Sequence, residues 1–540
     1  MPAAALVDLG AGDTSFLVDP SVAGGVVVHW GAALGGLDAE GVAATVTALE
    51  LPPTAGGLDV VAPLAIVPEH GSGYPGRPGL SGRRRDGAAW APRFTTSDVE
   101  RTDSTLTIEG IDPTARLRLR TDVRRHAGGA LAIAVTLIND GDADYLLDDL
   151  AATLAVPDHA GELLTFHGRW CRELHPQRRP FTAGSVVSEN RRGRTSHENP
   201  PLLWAGTAGF GEQGGEVWGA HLAWSGNSRL SAERLPDGRA AVQLGELLHP
   251  GEVVLAPGER YTTPTVYAAH STNGLSAASR QFHDVVRSSA AHRARPRPVG
   301  LNTWEAVYFD HDLDRLTRLA ERAAAVGVER FILDDGWFGG RRDDTAGLGD
   351  WWVSADAHPG GLAPLIKRVR DLGMEFGIWL EPEMVNPDSE IYRAHPEWAL
   401  VSPGYDPVLG RHQLVLDLAI PAAFAEILGR LDALLVDHDI AYVKWDMNRD
   451  HVQASGADGR AGTHAQTLAL YRLLDELRRR HPDVEFESCS SGGARIDLEI
   501  LQRTERVWTS DCNDALERQT IQRHASMLIP PEVIGAHIGP

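Results

Sequence analysis

The chain has 540 residues, more than one ordinary core supports, so two or more domains are expected. Its 51 basic and 73 acidic residues give a formal charge of −22, which argues against a nucleic-acid partner and against attraction to an anionic membrane surface. Three cysteines (Cys171, Cys489 and Cys512) are too few for a disulfide framework and fit a reducing compartment. The opening MPAAALVDLG lacks a basic leader followed by an apolar run. No stretch approaches the ~18 apolar residues of a spanning helix. The expected location is the cytoplasm.

Residues 1–290 read as β-rich. Leu117 to Arg120 alternates strictly, and Leu131 to Ile138 is an apolar run with β-branched residues. Pro236-Asp237-Gly238, Pro250-Gly251 and Pro257-Gly258 punctuate apolar stretches as turns do. A large antiparallel sandwich is the expected architecture. Ser288 to Pro298, polar, basic and proline-containing, reads as a connection, with residues 291–298 as the linker.

From Val299 onward short apolar strands alternate with amphipathic helices. Leu362, Leu365, Ile366, Val369 and Leu372 keep helical spacing with Gly373 as the stop, and Phe424, Ile427, Leu428, Leu431 and Leu435 repeat the pattern. Strands are expected to end at Asn302 to Trp304, Asp334-Asp335, Leu380-Glu381, Lys444 to Asp446, Ser488-Cys489 and Ser510-Asp511, with a seventh over Val533 to Ile538. Gln413 to Leu418 reads as a hairpin inserted in the third strand's loop. Strand–helix repetition over residues 299–540 predicts an α/β fold of the TIM-barrel type.

In such a barrel the carboxyl ends of the strands form the active face. Trp304, Asp334, Asp335, Glu381, Lys444, Asp446, Cys489 and Asp511 all fall there. Any one strand-end aspartate alone reads first as a helix cap; eight such residues on one rim read as a site. No H-x-x-x-H or D-x-D-x-D spacing occurs among them, which weighs against a divalent metal. Carbohydrate hydrolysis needs two carboxyl groups and flat apolar faces for sugar C–H groups. The segment supplies Trp304, Trp337, Trp351, Trp352, Trp379, Trp445 and Trp508; for Trp379 and Trp508 the expected role is packing.

The motifs Asn302-Thr303-Trp304-Glu305-Ala306, Asp334-Asp335-Gly336-Trp337, Ile378 to Met384 (IWLEPEM), Lys444 to Arg449 (KWDMNR), Cys489-Ser490-Ser491-Gly492-Gly493 and Trp508-Thr509-Ser510-Asp511 stand in this order. They resemble glycoside hydrolase family 36, the bacterial α-galactosidases. Ser196-His197-Glu198-Asn199-Pro200 resembles that family's N-terminal β-supersandwich. The resemblance implies a supersandwich over 1–290 and a (β/α)8 barrel over 299–540. It implies a retaining α-galactosidase acting on terminal α-galactose, with Asp446 as nucleophile and Asp511 as acid/base. Asp514, a rival to Asp511 by sequence, is expected to cap a helix. Trp304, Asp334, Asp335, Arg411, Lys444, Asn448 and Cys489 would bind the sugar, Cys489 near its 2-position. No metal and no organic cofactor is implied. The family is often tetrameric, so a homo-oligomer is expected.

Family members continue past the strand near Pro540 through an eighth strand and a β-domain, so a barrel incomplete at its C-terminal end, and a fragment of a longer chain, are expected. The alternatives are an α-N-acetylgalactosaminidase, a galactosyl transferase, and a non-catalytic galactoside-binding fragment.

Overall fold

The structure, a computed structural model, describes residues 6–35, 39–53, 55–292 and 296–539. Among the described residues, antiparallel strands of the N-terminal half build sheets of three, ten and six strands. The alternation read at Leu117 to Arg120 opens the strand Leu117–Arg125, whose Leu117, Leu119 and Val123 are buried. Leu131–Asn139 pairs with it in antiparallel register. Pro236 to Gly238 turns the chain between Ser228–Arg234 and Ala240–Glu246. Strands Val217–Ala223 and Ala240–Glu246 are buried at every residue, so both faces of their sheets are covered. Two helices were not foreseen, Ala39–Leu49 and Leu275–Arg287; the second packs on the strand Thr265–Ser271. Within the expected linker, residues 293–295 lie outside the described residues.

The C-terminal half is organised by one parallel sheet of seven strands in chain order: β1 (Gly300–Asn302), β2 (Arg330–Leu333), β3 (Glu375–Leu380), β4 (Tyr442–Trp445), β5 (Glu485–Ser488), β6 (Arg506–Trp508) and β7 (Ile534–Gly535). Strands β2, β4 and β5 are buried throughout, as parallel strands covered on both faces must be. Helices α1 (Leu313–Ala325), α2 (Ala363–Asp371), α3 (Pro421–Asp437), α4 (Thr463–Arg480) and α5 (Ala515–Ala525) lie between them. Helix α2 buries Leu365, Ile366 and Val369, each contributing about 1.5–3 kcal/mol of apolar burial. Between β5 and β6 only the 3₁₀ turn Ile500–Gln502 intervenes.

Of Gln413 to Leu418, expected as an inserted hairpin, Leu414–Val415 is a strand, but its antiparallel partner Met384–Val385 lies before the helix Glu390–Ala394, so the insertion is a two-stranded ladder closed by a long loop. The seventh strand is shorter than the expected Val533 to Ile538. Pro531–Val533 forms a 3₁₀ turn, and only Ile534 and Gly535 find partners, Val507 and Trp508 of the three-residue β6. Among the described residues no ladder joins β1 to β7, and no helix is long and apolar enough to cross a membrane.

The two halves meet at the carboxyl ends of the parallel strands. Arg194 donates to the Met447 carbonyl at 2.9 Å and pairs with Asp450 at 2.7 Å. The backbone N–H of Ser196 donates to the Ala494 carbonyl at 2.8 Å, and His197 Nε2 lies 2.7 Å from the Ser491 carbonyl. The Ser196 to Pro200 segment thus lies against the loops that carry the KWDMNR and CSSGG motifs.

Candidate active site

Residues just past the ends of β1 to β6 surround a cavity of about 1570 Å³. Trp304, Asp334, Asp335, Arg411, Lys444, Asp446, Asn448 and Asp511 line it. It exceeds the ~300–1,000 Å³ of a ligand pocket because it continues beside β1 and β7 to the opposite strand ends, where Tyr442, Glu487 and Arg506 line it. Of the residues expected to bind sugar, Cys489 stands apart. It is 1% exposed and buried below the cavity, its N–H donating to the Trp445 carbonyl at 2.7 Å.

Asp446 follows β4 directly and is buried, and its carboxylate accepts four hydrogen bonds. Oδ1 accepts from the backbone N–H of Met447 at 2.8 Å and of Ser491 at 3.1 Å. Oδ2 accepts from Asn448 Nδ2 at 2.8 Å and Trp379 Nε1 at 3.1 Å. Burial alone would raise its pKa. The Lys444 charge, these side-chain donors and Arg411 together outweigh burial and hold Asp446 below the usual carboxylate range. Lys444, two residues earlier on the same strand face, bonds Asp334 Oδ2 at 3.2 Å. Burial works against its charge, but Asp334 and the neighbouring Cys489, Asp446 and Asp511 prevail and keep it protonated.

Asp511 is held differently. It is part-buried, and each oxygen accepts one indole N–H at 3.0 Å, Oδ1 from Trp508 and Oδ2 from Trp170. Burial is the largest influence and raises its pKa; Lys444 and the indoles lower it, Asp446 raises it, and the balance stays above the ordinary aspartate value. Gly492 sits behind this residue at φ +76, where a Cβ would lie 2.6 Å from the Asp511 nitrogen, so the CSSGG motif needs glycine there. Asp514 caps α5 as expected, accepting from the N–H groups of Leu516 and Glu517 at 2.9 and 2.8 Å.

Both Asp334 and Asp335 lie past the end of β2 and can therefore share one cavity. Asn302 Nδ2 and Lys444 Nζ both reach Asp334 Oδ2, at 2.5 and 3.2 Å. Arg341, fully buried, clamps Asp335 through Nε at 3.0 Å and Nη2 at 2.8 Å, and is itself held by Asn386 Oδ1 at 3.0 Å. Trp304 begins a one-turn helix after β1, its ring edge-on to Tyr308 and Phe309. Arg411 and His412 are consecutive left-handed residues, φ 51 and 59, in the inserted loop, with the His412 carbonyl accepting from Asn386 Nδ2 at 2.7 Å.

Sequence reasoning missed several of these groups. Packing, the role expected for Trp379 and Trp508, is only part of what they do. Trp379 is indeed buried, yet its indole N–H is spent on Asp446, while Trp508 lines the cavity and bonds Asp511. Arg341 lies in an irregular loop with no periodicity to mark it. Trp170 is 341 residues from its partner. The sequence puts Glu381 on the rim and gives it no role. It is fully buried beneath Asp446, accepts from the Asn448 N–H and from Gln413 Nε2 at 3.3 Å, and is pushed up to about 8 by burial and by the Asp446 charge.

A parallel α/β sheet with carboxylates of opposed acidity and indoles on one rim is the arrangement glycoside hydrolysis needs. Comparison with known proteins agrees. The Melibiase family model matches residues 260–540, and the Glycosyl hydrolase family 36 N-terminal domain matches residues 26–256. An alpha-galactosidase of Escherichia coli is 50% identical over 515 residues, covering 95% of this chain and 72% of that protein. Alpha-galactosidase AgaA of Geobacillus stearothermophilus is 39% identical over 409 residues, covering 74% of this chain and 56% of its own length. A variant of AgaA solved with 1-deoxygalactonojirimycin superposes with a TM-score of 0.92 at 30% identity, over 98% of this chain and 79% of that one. Another, solved with raffinose, gives 0.91 at 31% identity over the same shares. The chain belongs to glycoside hydrolase family 36. It spans between about half and three quarters of the length of these curated relatives.

Proposed function

We propose that the chain hydrolyses terminal non-reducing α-D-galactose residues from galactosides and galacto-oligosaccharides, with net retention of anomeric configuration. The observation that carries this reading is the pair Asp446 and Asp511 on one cavity, the first held below and the second above the ordinary carboxylate range. The seven parallel strands in chain order, with helices between them, support reading this half as the wall of a TIM-type barrel. The change from antiparallel sheets to one parallel sheet beginning at Gly300 supports a division into a supersandwich over 1–290, a linker over 291–298 and a catalytic part over 299–540.

In this mechanism Asp446, ionised and fixed by four donors, attacks the anomeric carbon. Asp511 gives its proton to the glycosidic oxygen, which leaves with the bonding pair. Asp511, now a carboxylate, takes a proton from water as that water attacks the β-linked galactosyl ester, and Asp446 is released. Asp334 and Asp335 would accept hydrogen bonds from the axial 4-hydroxyl and the 6-hydroxyl. An epimer with an equatorial 4-hydroxyl would leave buried carboxylates unpaired and be rejected. Trp304 would cover the sugar, Arg411 and Asn448 would reach its hydroxyls, and Cys489 would limit bulk at the 2-position from beneath.

Time-resolved proton NMR of an aryl α-galactoside tests the reading. α-Galactose should form first and mutarotate later. β-Galactose as the first product, or no hydrolysis of any α-galactoside, would overturn it.

A further inference from the structure

Trp170 is an exposed residue in an unusual position. It is 56% exposed, which a tryptophan's apolar area disfavours, and it belongs to the β-sandwich half of the chain. It sits on the turn between the antiparallel strands Glu162–Arg169 and Arg172–Pro180, next to Cys171 in the left-handed region at φ 60. Yet its indole N–H reaches Asp511 Oδ2 at 3.0 Å.

The turn is fastened to the strand end that carries Asp511. Glu173, 1% exposed, accepts from Ser510 Oγ at 2.7 Å, one residue before Asp511, and from the Cys171 N–H at 3.3 Å. On the other side Arg172 Nε lies 3.4 Å from Glu517 on α5, and His175 bonds the same carboxylate. The second indole on Asp511 is fixed independently: Trp508 stacks on His537 with centroids 4.3 Å apart and carries Lys444 Nζ over its ring at 4.7 Å.

We propose that Trp170 is a positioning residue for the acid/base: the β-sandwich delivers one of the two indole N–H groups that orient the Asp511 carboxyl and stabilise its ionised form. This rests on the acid/base reading of Asp511. An N–H donor bonds a carboxylate more strongly than a carboxylic acid. Both indoles therefore gain strength as Asp511 gives up its proton, and hold it as a base for the water step. Removing one donor leaves the carboxylate less stable, so the acid/base titrates at higher pH. The other ionisable groups facing Asp511 stay in place in such a variant: Lys444 within β4 and Asp446 just after it, Cys489, Cys171 and Glu173 of the turn, and Arg518 of α5.

The test is the pH profile of kcat/KM for Trp170→Phe in the full chain, beside Asp511→Ala. Trp170 is largely solvated, so the substitution is expected to leave the fold intact, which a thermal melt checks. The alkaline limb of Trp170→Phe should move up by about half to one pH unit. With an activated aryl galactoside, whose turnover is limited by the water step, kcat should fall roughly threefold to tenfold and KM should fall with it, because both scale with the rate of that step. An alkaline limb that stays at the wild-type position overturns the inference, because a merely structural role would lower activity without moving it. Asp511→Ala separates this from the underlying assignment. Its loss should be far greater for poor leaving groups than for activated ones. Equal loss on both would overturn the acid/base reading itself.

Discussion

The surroundings of Asp446 and Asp511 differ in depth, in number of donors and in origin. Asp446 is 6% exposed and accepts four hydrogen bonds, all from the parallel-sheet half: Trp379 on β3, the KWDMNR segment and Ser491. Asp511 is shallower and accepts two, one of them from the β-sandwich. The first environment keeps a carboxylate charged and still, as a nucleophile requires. The second lets a carboxyl group exchange protons with the leaving group and with water. Two residues of one type on the same rim are thus given different tasks by the count of donors and the placement of Lys444.

Three substitutions break or sharpen this contrast. Asp446→Ala should reduce turnover roughly 10⁴-fold or more while leaving galactoside binding measurable, because it removes the carboxylate assigned to form the covalent bond. Steady-state kinetics and calorimetry together read this. Glu381→Gln acts on the deep environment alone. The Glu381 carboxyl is raised from 4.5 to about 8. Across that window the unfolded chain has lost this proton and the folded chain has kept it, so its contribution to stability falls as pH rises. Thermal melts from pH 5 to 9 should show the wild-type chain losing more stability across the window than Glu381→Gln. Parallel curves would mean Glu381 is ionised beside Asp446. The smallest effect is expected at Asp514→Ala, which removes the cap of α5. It should cost about 1 kcal/mol of stability and leave kcat unchanged. A loss of activity comparable to that of Asp511→Ala would reverse the assignment of the two aspartates.

Much of this contrast was legible in sequence on one side only. The rim residues of β1 to β6 each follow a short apolar strand, so Asp334, Lys444, Asp446 and Asp511 could be placed by pattern. The inserted strand at Leu414 showed as an apolar run out of step with the helices, while its distant partner at Met384 did not. The second layer was not readable. Arg341 and Asn386 meet through irregular loops, and the donor roles of Trp379 and Trp508 depend on where an indole nitrogen points, which no spacing encodes. Trp170 reaches Asp511 only because the sandwich docks on the strand ends, a tertiary event without a local signature. The seventh strand was overextended because an apolar run cannot reveal that its neighbour β6 offers only two partners.

The central claim is that Asp446 forms the covalent bond to the anomeric carbon. Asp446→Ala with an activated aryl α-galactoside and azide tests it most directly, with the product's configuration read by NMR. Azide entering the space left by the carboxylate should restore turnover and give the β-galactosyl azide. Hydrolysis that continues at the wild-type rate without azide, or an α-configured azide product, would contradict it.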